Sequence, residues 1–131
     1  MFEIRFDPAQ RVLHLTLSGF WTMATVVRFA AEMMLRATMI RARYGTFATL
    51  SDARDFPIQS AAVSERFERI RARGLEMNLG PTAIVVASQL SKLQAERVLK
   101  TEQVRVFLDR AAAEAWLEAQ WALHPGAATE G

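Results

Sequence analysis

Apolar and polar side chains alternate along the first part of the chain with the period of two that is typical of a half-buried β-strand. The alternation covers residues 2–6 and 12–17, with a turn-forming stretch at 7–10 between them. We therefore predict a β-hairpin with one covered face and one wet face. His14 falls on the wet face, and we interpret it as a half-exposed strand residue rather than a catalytic base. The covered face is predicted to carry Phe2, Ile4, Phe6, Leu13, Leu15 and Leu17.

The pattern changes to a helical period at residue 22. It predicts a helix from Thr22 to about Arg43, with Thr22 as the N-cap and Gly45 as the stop. The covered arc of this helix is predicted to carry Met23, Val26, Val27, Ala30, Met33, Met34, Ala37 and Ile40. The opposite side is predicted to be a solvated face with two ion pairs of alternating sign, formed by Arg28, Glu32 and Arg36.

Leu35 and Met39 interrupt that polar face with an apolar pair. Two interpretations are open, since single apolar residues are common on surfaces whereas clustered ones mark contact sites. The pair is either two tolerated surface residues or part of an interface with another protein or a second copy of this chain.

The middle of the chain predicts a strand, a loop and a second helix. The strand covers residues 46–50, and the loop at 51–57 ends at a proline that forbids direct continuation. Ser60 is the predicted N-cap of the helix that follows. The core stripe of that helix is predicted to consist of Val63, Phe67, Ile70 and Gly74.

The last third of the chain predicts two strands and two helices. Residues 83–87 are continuously apolar and β-branched, which indicates a central strand covered on both faces. A capping box at Ser91 is expected to open a short helix that runs to about Thr101, and residues 104–108 form the last strand. Asp109 is the expected cap of a final helix, whose aromatic residues Trp116 and Trp121 dock it onto the sheet. One side of that helix is predicted to carry Ala112, Ala115, Trp116 and Ala119, and an adjoining side Leu117 and Trp121.

The element order is therefore β-β-α-β-α-β-α-β-α, an antiparallel hairpin followed by right-handed crossover units. This order predicts an α/β fold with a five-stranded mixed sheet and four helices. We expect one domain over residues 1–123 and a flexible tail over residues 124–131.

Composition agrees with one packed domain and excludes general disorder, since 51% of the 131 residues are hydrophobic and 23% are charged. No apolar stretch approaches the ~20 residues that cross a bilayer, so we expect no integral membrane segment. The first residues have neither the basic nor the apolar segment of a secretion signal. We therefore expect a cytoplasmic protein.

The residue types in the chain exclude many kinds of catalytic site. The chain has no Cys and only two His, which removes disulfides and thiol nucleophiles and argues against a metal site. The phosphate-binding, dinucleotide-binding, zinc-protease and serine-hydrolase motifs do not occur. We therefore predict no catalytic residue, no metal and no cofactor, and expect that the protein is not an enzyme.

The one concentrated polar group follows the third strand, at the end of a sheet where ligands tend to bind. Asp52, Arg54 and Asp55 are candidates for contacting a ligand or partner, and Ser60 is a candidate phospho-acceptor or helix cap. The alternative is ordinary loop and cap chemistry, with Asp52 closing a turn and Ser60 only capping the helix.

Nucleic-acid binding is not expected, although 14 of the 16 basic residues are Arg. The arginines of the second predicted helix, Arg66, Arg69 and Arg73, alternate with Glu65 and Glu68, so their charges cancel locally.

The stretch from Arg105 to Leu117, a strand with Phe107, the cap Asp109 and an Ala-Trp-Leu helix, resembles the end of many SpoIIAA-like chains. This is a branch of the STAS fold, the sulfate transporter and anti-sigma factor antagonist domains. The resemblance implies a regulatory, protein-interacting module of bacterial type that is not an enzyme. The better-known members are phosphorylated on a Ser in an Asp-Ser-Ser-Gly segment, and Ser60 falls on that position within Gln59-Ser60-Ala61-Ala62.

The same branch is similar in shape to lipid-transfer domains of the CRAL-TRIO type, which implies a groove for an apolar ligand. Two functions are therefore kept. The first is a non-catalytic interaction module that binds a protein partner or a second copy. The second is a module for a small apolar ligand or lipid, favoured by methionines that repack around an irregular guest. These methionines are Met23, Met33, Met34 and Met39.

Overall fold

The structure, a computed structural model, describes residues 1–77, 80–98 and 102–123 of the chain. Its strands are β1 (Phe2–Asp7), β2 (Val12–Ser18), β3 (Ala48–Asp55), β4 (Thr82–Val85) and β5 (Val104–Phe107). Its helices are α1 (Met23–Tyr44), α2 (Ala61–Met77), α3 (Gln89–Val98) and α4 (Arg110–Leu123). The predicted element order is confirmed. The predicted flexible tail at residues 124–131 lies outside the described residues.

The strands form one sheet in the order β1-β2-β3-β4-β5. β1 and β2 are antiparallel, with Phe2 opposite Leu17, and the other three neighbouring pairs are parallel. Each parallel pair is joined by a helix, because parallel neighbours need a long crossover. The predicted five-stranded mixed sheet with four helices is confirmed.

The helices cover both faces of the sheet. The larger core lies under α1 and α2, where Leu13, Leu15 and Leu17 of the hairpin are buried as predicted. Ala95 of α3 packs against the same core. On the other face, α4 buries Ala113 and Leu117 against β3 and β4. Since β4 is buried throughout, the prediction of a strand covered on both faces is confirmed, although β3 takes the middle position.

The buried side of α1 differs from the predicted arc. The helix begins at the predicted cap, where Thr22 Oγ1 accepts the Thr25 N–H at 3.2 Å. Its buried residues, however, are Val26, Phe29 and Ile40, while Val27 and Met34 are about half exposed. Arg36 is not on a solvated face, because its guanidinium donates to the carbonyl of Ile4. The helix is rotated toward Phe29, a bulky aromatic residue that buries more area than Val27.

The third strand begins and ends later than predicted. Residues 51–55 are strand, not loop, and Ser18 of β2 still pairs with Asp55. Ser51, Asp52 and Ala53 are buried. The polar residues suggested an end to the strand, but two arginines neutralise the Asp52 carboxylate and allow it to stay in the sheet.

Two predictions about α2 and α3 were wrong. Val63 and Phe67 are buried in α2 as expected, but Gly74 is exposed. The N-cap of α3 is Ser88 rather than Ser91, since Ser88 Oγ accepts the Ser91 N–H at 3.1 Å. The helix therefore starts one turn earlier, and its predicted end near residue 101 lies outside the described residues.

The final helix is capped as predicted, with Asp109 Oδ2 accepting the Ala112 N–H at 3.1 Å. Its tryptophans dock onto the sheet as expected. The ring of Trp116 lies 5.7 Å from that of Phe107, and the Arg11 guanidinium lies 5.3 Å from the Trp121 ring. The predicted alanine side was wrong, because Ala112, Ala115 and Ala119 are exposed. Among the described helices, none is long and apolar enough to cross a membrane.

Candidate functional site

Ser60 is the N-cap of α2. Its Oγ accepts the Val63 N–H at 3.3 Å and its carbonyl accepts the Ser64 N–H at 2.9 Å. The residue before it, Gln59, ties this helix end to the segment after β2. The Gln59 amide accepts the Trp21 N–H at 2.7 Å and donates to the Gly19 carbonyl at 3.0 Å. Ser60 itself is exposed, and its role as a phospho-acceptor stays a prediction.

Asp52 is the centre of an ion network that joins β3 to α4. Its carboxylate accepts from Arg54 Nε at 2.9 Å, from a terminal Arg54 nitrogen at 2.7 Å, and from Arg110 at 3.0 Å. The Asp52 side chain is 12% exposed. The hydrogen bond from Arg54 is the largest of the effects that lower the pKa of this carboxyl. Asp52 is thus engaged within the fold, and its charge stabilises the packing of α4.

The structure keeps Asp52 and Arg54 together as an ion pair, but it places only two of the four candidate polar residues in a cleft. Arg54 and Asp55 line an open cleft of about 680 Å³ at the carboxyl ends of β3 and β4, between α2 and α3. Asp52 and Ser60 are not among the residues that line it. The proposed ligand or partner contact of Asp52, Arg54 and Asp55 stays a prediction, and for Arg54 and Asp55 the cleft is where it would occur.

A second, apolar cavity lies between α1, α2 and the sheet. Its volume is about 210 Å³, and apolar side chains from all three layers form its walls. Examples are Leu17 of β2, Phe29 and Met33 of α1, Phe67 of α2 and Ile84 of β4. The lining also includes four exposed residues, so the cavity opens to solvent between the two helices. These are Met34, Arg41, Arg73 and Gly74.

Gly74 helps to keep this space open. A Cβ placed on Gly74 would meet no heavy atom within 4 Å. The sequence pattern predicted Gly74 as a core position, but the residue is exposed at the mouth of the cavity. A larger side chain at this position would project into the cavity mouth.

Arg71 of α2 lines both the apolar cavity and the open cleft. Its side chain is only 18% exposed, and its guanidinium lies 4.8 Å from the ring centre of Phe67. Its ion pair with Glu68 is long, at 3.6 Å. Burial lowers the pKa of Arg71, and the Glu68 carboxylate opposes that shift. Arginine is not deprotonated in proteins, so the guanidinium carries its charge at neutral pH. Sequence reasoning missed Arg71, because an Arg beside Glu68 in a helix is usually a solvated pair.

Leu35 and Met39 lie on the outer side of α1, 60% and 62% exposed. Val27 on the same helix is about half exposed, whereas the half-exposed Met34 lies at the mouth of the apolar cavity. The exposure of the pair agrees with the sequence, and its role as an interface stays a prediction.

Comparison with known proteins shows the fold. A crystal structure of an uncharacterized DUF3478-family protein with a SpoIIAA-like fold, from Shewanella loihica PV-4, superimposes with a TM-score of 0.65. The two are 16% identical, and the alignment covers 88% of this chain and 93% of that one. No protein-family model and no curated protein matches this chain. The chain has a SpoIIAA-like fold, as the resemblance implied.

Proposed function

We propose that this SpoIIAA-like domain is a non-catalytic binding module that holds a small apolar molecule between α1, α2 and the sheet. The observation that carries the proposal is the apolar cavity of about 210 Å³. The cavity opens to solvent between α1 and α2 and is lined mainly by apolar side chains. Apolar concavities that reach the surface are a common form of ligand-binding groove.

The cavity suits a small ligand rather than a large one. An apolar cavity of about 150 Å³ stays dry and binds benzene, whereas drug-sized ligands occupy roughly 300–1,000 Å³. The walls are also adaptable, because Met33 and Met34 have three rotatable bonds each and repack readily. A flexible chain of about eight carbons is a suitable guest by this comparison.

Binding rather than catalysis is proposed because two of the candidate polar residues are engaged in the fold. Asp52 is saturated by two arginines, and Ser60 Oγ caps a helix. This arrangement supports a module that recognises rather than transforms its ligand.

The test uses 1-octanol as the probe and isothermal titration calorimetry as the measurement. Wild-type protein should bind octanol at one site. Gly74→Leu should abolish binding by filling the cavity mouth, while the matched control Gly74→Ala should leave binding within about twofold, because its single methyl group occupies little of the space. If octanol fails to bind, or binds equally to Gly74→Leu, the cavity is not a ligand site.

The second candidate function is a protein-interaction module, and the exposed apolar side chains of Leu35 and Met39 on the outer side of α1 favour it. Clustered apolar side chains on a surface mark contact sites. Light scattering after size-exclusion chromatography should then show a dimer for the wild type and a monomer for Leu35→Glu/Met39→Glu. Glu32→Gln on the same helix is the matched control. A monomeric wild type would exclude self-association through this surface, and only a different protein could then bind there.

A further inference from the structure

The charged residues that line the apolar cavity are all positive among the described residues. Three arginines line it, Arg41 from α1 and both Arg71 and Arg73 from α2, and no described lining residue is acidic. Arg41 and Arg73 are exposed at the opening, while Arg71 lies deeper. An apolar space with cations at its edge complements a ligand that has an apolar body and an anionic head.

Arg71 is poorly compensated for a cation at its depth. A charged group removed from water normally has a close, well-aligned partner. Arg71 has the ring face of Phe67 and the long 3.6 Å pair with Glu68, whose own side chain is 38% exposed. The planar guanidinium therefore retains donors for a carboxylate, which it binds with two parallel hydrogen bonds.

The position of Arg71 also fixes the orientation of such a ligand. Phe67, Arg71 and Ile84 line both the apolar cavity and the open cleft, so they form the wall between the two. A ligand with its chain in the apolar cavity and its head paired with Arg71 has that head at the border with the cleft. The chain then lies among the apolar walls and the head lies beside the more polar cleft.

We propose that the ligand is a free monocarboxylate with a saturated chain of medium length, whose carboxylate pairs with Arg71. This inference rests on the proposed function of the apolar cavity. The volume of about 210 Å³ favours a single-chain acid over a membrane lipid with two acyl chains. Arg73 and Arg41 attract the anion to the opening without closing on it, since both are exposed.

The experiment compares octanoate with 1-octanol, which share the chain and differ in the head. Wild-type protein should bind octanoate about 10- to 100-fold more tightly than octanol, the worth of hydrogen bonds to a charged group. Arg71→Met keeps the apolar stem and should remove that preference while octanol affinity stays within about twofold. Arg69→Met is the matched control, because Arg69 lies on the same helix, pairs with Glu65 and does not line the cavity.

Nuclear magnetic resonance separates direct contact from a general charge effect. Octanoate should shift the Arg71 Nε–Hε cross-peak, assigned by its loss in Arg71→Met, and octanol should leave it nearly unmoved. Arg71→Lys should keep part of the preference, since Lys retains the charge but lacks the planar fork.

The outcomes distinguish the two proposals. Equal binding of octanoate and octanol by the wild type, or an unchanged preference in Arg71→Met, overturns the carboxylate assignment and leaves the apolar site standing. Binding of neither probe overturns the apolar site and the assignment together. Tighter binding of short-chain phosphatidic acid than of octanoate also overturns the assignment, because it identifies a lipid headgroup as the anion.

Discussion

Replacement of Asp52 by Asn tests how β3 can continue through a charged residue. The substitution keeps the shape of the side chain and removes its charge. Asp52 accepts three short hydrogen bonds from Arg54 and Arg110, and it is 12% exposed. Its two partners are 45% and 33% exposed, so water solvates them after the change and neither is left buried without a partner.

The expected cost is about 1.5–3 kcal/mol in the free energy of unfolding. This is the range for a hydrogen-bonded charged group, and it lies below the 3–5 kcal/mol seen when a deeply buried partner is stranded. Urea denaturation at pH 7 measures it, with Asp55→Asn as the control, since Asp55 is exposed and lies on the same strand. A cost below about 0.5 kcal/mol, the usual range of a surface substitution, would refute the reasoning.

The pH dependence of that cost follows from the lowered pKa of Asp52. A carboxyl whose pKa is lower in the folded state stabilises the protein above its unfolded value of about 3.9, and the contribution is lost as the pH falls through the folded pKa. The difference between wild type and Asp52→Asn should thus be constant near neutrality and shrink below about pH 4. A difference that does not shrink in acid would contradict the assignment of the stabilisation to the charge.

Three further predictions concern single residues. Burial is the main cause that lowers the pKa of His14, followed by the charges of Arg5 and Arg110, so the free energy of unfolding should fall as the pH drops below about 6.5. His14→Gln should flatten that slope in thermal melts between about pH 7 and 5, and an unchanged slope would exclude His14 as its source. Ser60→Ala should cost about 1 kcal/mol in chemical denaturation and Ser60→Asp little, since Asp also caps and suits the helix dipole; equal losses would contradict the cap. Gly74→Ala should raise the free energy of unfolding by about 0.4–1 kcal/mol, and the melting temperature with it, because alanine restricts the unfolded chain and the added Cβ meets no neighbouring atom. A loss of stability would show that the space beside Gly74 is not open.

Local patterns predicted the order of elements, because hydrophobic period and cap chemistry act within a few residues. Thr22 and Asp109 cap helices where the sequence placed them. The errors arise where a contact with a distant residue overrides the conformation that the local sequence favours. Asp52 predicts the end of a strand, but in the fold Arg110, 58 positions further on, neutralises its charge. The phase of α1 was misread because Phe29 and Arg36 find partners on β1 that no helical pattern specifies.

The apolar cavity cannot be predicted from local sequence patterns either. A cavity is the difference between the space that the backbone encloses and the volume of the side chains that fill it, so it depends on three elements at once. Gly74 sits in the predicted stripe of α2, yet only the structure shows that no neighbouring side chain fills the space a Cβ would occupy. Arg71 shares this property, since the sequence shows a charged residue next to Glu68 on a helix. Only the structure shows that this side chain, 18% exposed, shares a cavity with apolar residues of α1 and the sheet.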